Sequence, residues 1–301
     1  MRTNNLLAIE IKNLTKHYDK LHGIDNVSLE VQKGEIFGFL GPNGAGKSTT
    51  INTILDILRP DSGSVQILGI GHREVKQTHR LIGYLATDME TDPTLTGKQY
   101  LSFVAALQKN VKKSYTEELA VRLKADLSIK IKHLSRGNRQ KIGLIAALMH
   151  RPEVLILDEP TSGLDPLIQS EFYAILREHQ AAGKTTFMSS HVLSEVQEVC
   201  SRVGFIKDGK LLQVSSLEAL LEKASRQVVV RFQTSAPTEL EGLDGVKGLQ
   251  KADGLMRFTF AGDLNKLIRL LAKNPVSHIE ISEANLEELF MSYYKKEETN
   301  A

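Results

Sequence analysis

The sequence predicts an α/β protein: a mainly parallel sheet carrying a phosphate-binding loop, followed by a small α+β domain. Three observations carry that expectation. The runs "GEIFGFL" (34–40), "EVLILDEP" (153–160) and "KTTFMSSH" (184–191) are apolar or β-branched without alternation, as in strands buried on both faces. A glycine-rich turn stands between the first of these runs and a helical stretch, the context that gives a phosphate-loop motif its meaning. After about residue 222 the texture changes to short strand-like and helical segments.

Composition bounds the rest. The chain has 301 residues, 41% of them hydrophobic, enough for one large domain or two modest ones, each with its own core. Lys and Arg (38) nearly balance Asp and Glu (36), and a formal net charge of +2 gives no general field for nucleic acid. The single cysteine, Cys200, can make no internal disulfide, has no metal-type cluster beside it, and reads as a small buried hydrophobe in a reducing, cytoplasmic setting. No apolar run approaches the roughly 20 residues of a membrane helix. "MRTNNLLAIEIKN" lacks the continuous apolar centre of a secretory signal, so a chain that does not itself span a membrane is expected.

The elements follow in order. "LAIEIKNL" (7–14) and "VSLEV" (27–31) alternate with period 2 and read as half-buried strands. "KSTTINTILDIL" (47–58) reads as a helix stopped by Arg59-Pro60-Asp61 and Gly63. Residues 97–150 are mostly helical in pattern, including the apolar-periodic Ile142, Ile145, Ala146 and Met149 after "LSRGN". Past residue 222, "QVVVRFQ" (227–233), "LMRFTFAG" (255–262) and "HIEIS" (278–282) read as strands. "LNKLIRLLAKN" (264–274) reads as a helix with Leu264, Leu267, Ile268 and Leu271 on one face; Leu286, Leu289, Phe290 and Tyr293 mark another. The division expected is 1–221 and 222–301.

Two motifs carry chemistry. "GPNGAGKST" fits G-x4-G-K-[ST] with Gly41, Gly46, Lys47 and Ser48. Its backbone N–H groups and the following helix N-terminus would face an anion, Lys47 would reach the outer phosphates, and Ser48 can ligate Mg²⁺. A bare match can be a chance glycine turn, but strand before and helix after argue otherwise. "VLILDEP" places two carboxylates at the end of a buried strand, where a charge needs a cation or donors. Asp158 is placed to hold Mg²⁺ through water and Glu159 to orient or deprotonate an attacking water. Alone, such acids can simply mark where a strand leaves the core.

With the phosphate loop, "LSRGN" (134–138), "LDEP", "SGLD" (162–165) and His191 in this order and spacing, residues 7–220 resemble an ATP-binding cassette (ABC) ATPase. The resemblance implies a P-loop NTPase fold with a mainly parallel core, an antiparallel β subdomain and a helical subdomain at about 88–150. It implies ATP and Mg²⁺ as ligands, with Gly41, Pro42, Asn43, Gly44, Ala45, Gly46, Lys47, Ser48 and Thr49 around the triphosphate and Tyr18 stacked on adenine. It makes Glu159, His191 and Lys47 the catalytic set, His191 being the switch residue near the γ-phosphate. Leu134, Ser135, Arg136, Gly137 and Asn138 form the signature loop that completes the site of a second cassette, with Asp165 in the inter-subunit loop. There are two departures. The usual LSGGQ carries Arg136 and Asn138 here, and after "IGYL" (82–85) the usual Pro-Gln is replaced by Ala86, Thr87 and Asp88, leaving Thr87 or Asp88 to stand in for the magnesium-contacting glutamine.

The implied partners are a second cassette, as a homodimer, and a separate integral membrane permease docked near residues 82–110, which would hold the chain at the inner face of the cell membrane. The tail resembles the extension of cassettes that serve ABC-2-type exporters. A soluble cassette acting on ribosomes, DNA or metal clusters is disfavoured: the chain carries one cassette, no long heptad insertion and a balanced charge, so no nucleic acid is expected. A nucleotide-binding module without hydrolysis is disfavoured by Lys47, Asp158, Glu159 and His191 together.

Overall fold

Alternating residues at the start of the chain build an antiparallel sheet, and continuous apolar runs build a parallel one. The structure is a computed structural model that describes residues 7–18, 23–88, 91–108, 111–233, 237–252 and 255–282. β1 (Leu7–His17) pairs antiparallel with β2 (Gly23–Gln32), and Ile9, Ile11, Val27 and Val31 enter the core. β3 (Ile36–Leu40) is buried at every residue and leads through the glycine loop into α1 (Lys47–Ile54). β4 (Ser62–Ile67) and β5 (Ile70–Gly71) complete the antiparallel sheet in the order β2-β1-β4-β5.

α1 is shorter than the sequence predicts. Asp56 takes a left-handed backbone (φ 55), and the N–H groups of Ile57 and Leu58 turn back onto the Asn52 carbonyl. The helix therefore ends in a left-handed cap on an acidic residue, where glycine is usual and would have marked the stop.

After the short α2 (Val75–Thr78), β6 (Ile82–Leu85) leads into the helical segment. α3 (Gly97–Leu107) opens on a capping box between Thr96 and Gln99. α4 (Lys113–Arg122) and α5 (Arg136–Leu148) follow, the latter burying Ile142, Ile145 and Ala146, with Met149 buried just beyond its end. The chain then alternates strand and helix: β7 (Val154–Asp158), α6 (Pro166–Ala181), β8 (Thr185–Ser190), α7 (Leu193–Val199), β9 (Arg202–Lys207) and β10 (Lys210–Ser216). Arg122 on α4 is bonded to Glu171 and Glu178 on α6, which ties the helical segment to the sheet-bearing part.

The strands form a six-stranded sheet in the order β10-β9-β3-β8-β7-β6. β3 runs parallel to β8 and β9, and β7 parallel to β8 and β6. Phe37, Phe39 and Phe187 pack across β3 and β8 with ring centroids 5.8 and 5.4 Å apart. The consequence for function is that the carboxyl ends of β3, β8 and β7 lie side by side, each followed by a loop that carries a motif.

The chain divides between Val214 and Ser215. The second unit begins with α8 (Leu217–Lys223), opened by Ser216 as its cap. β11 (Arg226–Phe232), β12 (Val246–Ala252), β13 (Leu255–Phe260) and β14 (Val276–Ile281) form an antiparallel sheet in the order β12-β13-β11-β14. α9 (Leu264–Leu271) packs Leu267 and Leu271 against Val228, Val230, Phe258 and Phe260. One expectation needs correcting: Ile268 is 47% exposed, while Leu270 packs on the core instead. At about 100° per residue, Leu264, Leu267, Leu270 and Leu271 span an arc centred near Leu267, and Ile268 falls outside it. The helical pattern at Leu286, Leu289, Phe290 and Tyr293 lies outside the described residues.

Cys200 is buried, and burial pushes its thiol pKa up, as for an unreactive core thiol. Among the described residues no helix is long and apolar enough to cross a membrane.

Candidate active site

The glycine loop spans from β3 to α1. Its entry is fixed by the Gly41 N–H on the Ser190 carbonyl (3.2 Å) and a turn closed by the Ala45 N–H on the Pro42 carbonyl (3.2 Å). Gly46 stands at the cap position with φ 103 and no side-chain cap, so the first N–H groups of α1 are left to an external acceptor. Asn43, Gly44, Gly46, Lys47, Ser48 and Thr49 form one wall of a cleft of about 560 Å³. Thr87, Arg136, Glu159, Ser162 and His191 form the rest.

Glu159 links the cleft's charges. Its Oε1 lies 3.2 Å from Lys47 Nζ, and its Oε2 lies 2.7 Å from His191 Nδ1. Lys47 is buried and also donates to the carbonyls of Gly41 (2.8 Å) and Pro42 (3.0 Å), which fixes its ammonium beneath the loop. A cation, a carboxylate and an imidazole from three different loops thus meet in one line. That arrangement can hold an anion at one end and accept a proton near its middle.

The backbone of Glu159 is strained, with φ 50 for a residue that has a Cβ, and its neighbours hold it in place. Its N–H donates to Ser189 Oγ (3.0 Å), and its carbonyl accepts from Gln140 Nε2 (3.1 Å), which also reaches the Pro160 carbonyl (3.0 Å). Asp158, buried at the strand end, accepts from Ser189 Oγ at 2.5 Å. Burial first, and the Asp158 charge second, push the neighbouring Tyr84 phenol up to about 12.

The second loop is placed by its own helix. Ser135 caps α5, its Oγ accepting from the Asn138 N–H at 3.3 Å, and Leu134 is buried beneath it. Gly137 lies against the segment after Glu159: a Cβ there would stand 2.3 Å from the Gly163 carbonyl oxygen. Arg136 is exposed and lines the cleft, with no hydrogen bond or ion pair among the described residues. Asp165 caps α6, accepting from the Ile168 N–H at 3.1 Å. Of the two stand-ins for the missing glutamine, Thr87 lines the cleft and Asp88 does not. Tyr18, 57% exposed at the end of β1, is not among the cleft's lining residues. Sequence reading passes over Gln140 and Ser189, because an amide inside a helix and a serine inside a strand carry no motif of their own.

An ABC transporter family profile matches residues 24–162. The bacitracin transport ATP-binding protein BcrA of Enterococcus faecalis is 34% identical over 296 residues, 94% of this chain and 95% of that protein. The chain belongs to the ABC transporter ATP-binding proteins. The linearmycin resistance ATP-binding protein LnrL of Bacillus subtilis is 30% identical, covering 94% of this chain and 97% of its own length. Among solved structures, an ATP-binding subunit of an ABC transporter is 27% identical, with TM-score 0.64, and covers 71% of this chain and 91% of its own. A dimeric cassette in a post-hydrolysis state, bound to ADP and Pi, is 24% identical over 69% of this chain and 98% of its own, with TM-score 0.63; it shares the fold. This cassette is accordingly the ATP-hydrolysing subunit of a transporter, and cassettes of this kind work in pairs with membrane permeases.

Proposed function

We propose that the cassette drives export, coupling Mg²⁺-dependent ATP hydrolysis and the pairing of two copies to a separate permease. The observation that carries the chemistry is Glu159 bridging Lys47 and His191 beside the phosphate loop. A triphosphate entering the cleft competes with Glu159 for the Lys47 ammonium, both being anions with a claim on one cation. Lys47 then faces the outer phosphates, and Glu159 keeps its bond to His191. Glu159 takes the proton of the water attacking the γ-phosphorus, the bond to the bridging oxygen breaks, and its electron pair stays on ADP. His191 orients the carboxylate.

The Ser48 hydroxyl and the buried Asp158 carboxylate are hard oxygen donors of the kind Mg²⁺ takes alongside substrate phosphates and water. The ion would supply charge neutralisation across the phosphates. Thr87, lining the cleft, fits the place of the missing glutamine.

Export as the direction is supported by the relatives named for bacitracin transport and linearmycin resistance. A permease site on the first unit is supported by the exposed apolar residues Ile57, Phe103 and Leu107. They belong to segments bordering a groove lined by Leu55, Tyr84, Tyr100 and Val104, which overlaps the 82–110 stretch. Docked there, the cassette would lie at the inner face of the membrane. The test of the chemistry is Glu159→Gln, which keeps shape and loses the base. ATP hydrolysis should fall about 10²–10⁴-fold with ATP binding retained. Near-unchanged turnover would remove Glu159 from the role.

A further inference from the structure

Glu159 and His191 sit on different loops, one after β7 and one after β8, yet their side chains meet at 2.7 Å. Another carboxylate joins those loops. Glu195, in the first turn of α7, accepts from Thr161 Oγ1 on one oxygen (2.6 Å) and from Ser190 Oγ on the other (2.6 Å). Thr161 follows the Glu159-Pro160 pair, and Ser190 immediately precedes His191. Both hydroxyls are almost fully buried, at 3% and 1% exposure, and Glu195 has no ion pair among the described residues.

Hydrogen bonds to an ionised acceptor are short and strong, and a carboxylate can accept on both oxygens at once. Glu159 needs such help. Its left-handed backbone (φ 50) persists only where the surroundings over-determine it. Ser189 and Gln140 hold its own N–H and carbonyl, while Glu195 fixes the segment that leaves it and joins that segment to the one bearing His191. We infer that Glu195 is a positioning residue for hydrolysis, its carboxylate clamping Thr161 and Ser190 so that Glu159 and His191 stay in register across the phosphate cleft. The inference rests on the reading of Glu159 as the base.

The geometry dictates which substitutions are informative. Glu195→Gln keeps size but offers an acceptor at one end and donors at the other, so one of the two hydroxyl protons loses its bond to residue 195; Ser190 could turn to the Val192 carbonyl at 3.2 Å, but the link between the loops is cut either way. Thr161→Val removes the same link from the other side, and Thr161→Ser restores it. The full-length chain carrying each change, with Glu159→Gln in parallel, is assayed for kcat, KM for ATP and equilibrium ATP binding. Glu195→Gln and Thr161→Val should each lower kcat by about 10- to 100-fold, the loss expected when a reacting group is displaced by a fraction of an ångström to one ångström. KM and ATP affinity should stay within about twofold of wild type, because the phosphate-binding groups are untouched. Thr161→Ser should keep most of the rate. The pair Glu195→Gln with Thr161→Val should lose little more than either alone, since both cut one link.

Full turnover in Glu195→Gln, with Glu159→Gln inactive, would overturn this inference and leave the base assignment standing. Equal losses of ATP affinity and kcat, or a Thr161→Ser as slow as Thr161→Val, would mean that Glu195 only packs α7, and would overturn it too. Wild-type turnover in Glu159→Gln would instead overturn the base assignment. If Glu195→Gln does not fold, the Thr161 pair decides alone: a fast Thr161→Val overturns the clamp, and a slow one rescued by Thr161→Ser supports it.

Discussion

The two glycine-bearing loops at the cleft, 41–49 and 134–138, contain the same residue for opposite reasons. Gly46 is needed for conformation: φ 103 is a backbone state that side chains resist, and it turns the first N–H groups of α1 toward the cleft. Gly137 is needed for room, because a Cβ would stand 2.3 Å from the Gly163 carbonyl oxygen of the same chain. The phosphate loop is thus shaped toward an external anion, whereas much of the second loop is explained by contacts within its own chain. Ser135 caps α5, Leu134 fills the core and Gly137 permits a close approach; Arg136 alone of the loop lines the cleft, with no partner among the described residues. A motif's residues can therefore satisfy local structure first and leave their intermolecular use undecided.

A methyl group at each of the two glycines should therefore act differently. Gly46→Ala forces a side chain into a left-handed backbone and brings its Cβ to 2.8 Å from Ile24 Cγ2 and 3.2 Å from the Gly23 carbonyl oxygen. Backbone strain and overpacking together are worth about 2–6 kcal/mol, and where the loop relieves that strain by leaving its binding conformation, ATP affinity should weaken by about 30-fold or more. Titration calorimetry reads this directly, and an unchanged affinity would mean that the loop's conformation is not what binds. Gly137→Ala should act elsewhere. It should destabilise the fold by about 1–3 kcal/mol, as overpacking does, and leave the affinity of one chain for ATP nearly unchanged. Denaturant unfolding with parallel calorimetry separates the two, and a Gly137→Ala chain as stable as wild type would show that the approach to Gly163 can relax.

The same contrast explains what could be read from the sequence. Residues whose placement is written in their immediate neighbours were legible: the glycine loop between strand and helix, Asp158 and Glu159 ending an apolar run, and the buried strands β3, β7 and β8. His191 was legible through the order of motifs, and the structure brings it to Glu159. Gln140 and Glu195 were not: Gln140 on α5 meets the Glu159 carbonyl 19 residues on, and Glu195, though five residues from Ser190, meets Thr161 34 residues away only because β7 lies beside β8. In the second unit, β12 escaped because its residues are mostly exposed and show no alternation; with only β13 beside it, this edge strand is held by its ladder rather than by burial. The end of α1 was misplaced because Asp56 takes a conformation that glycine usually signals.

The smallest effect expected is at Ser135, and it decides whether the second loop has a use beyond its own chain. As a cap alone, Ser135→Ala should cost about 0.5–2 kcal/mol of stability and nothing in catalysis. The cap bond is long, however, at 3.3 Å, and it uses the hydroxyl only as an acceptor. Among the described residues the O–H proton of this exposed residue meets no acceptor, so it can be given to an anion from outside. If that anion is the phosphate bound by a second copy, a Lys47→Ala chain and a Ser135→Arg chain should each fail to trap nucleotide alone. Mixed in equal amounts they should recover part of it, because the mixed pair holds one doubly altered site and one intact site. Trapping is the quantity to measure, since turnover could demand two working sites. If cross-linking shows that mixed pairs form and trapping does not return, Ser135 works only within its own chain. In that case the second loop is a helix cap packed on Gly163, and Arg136 is its sole contribution to the cleft.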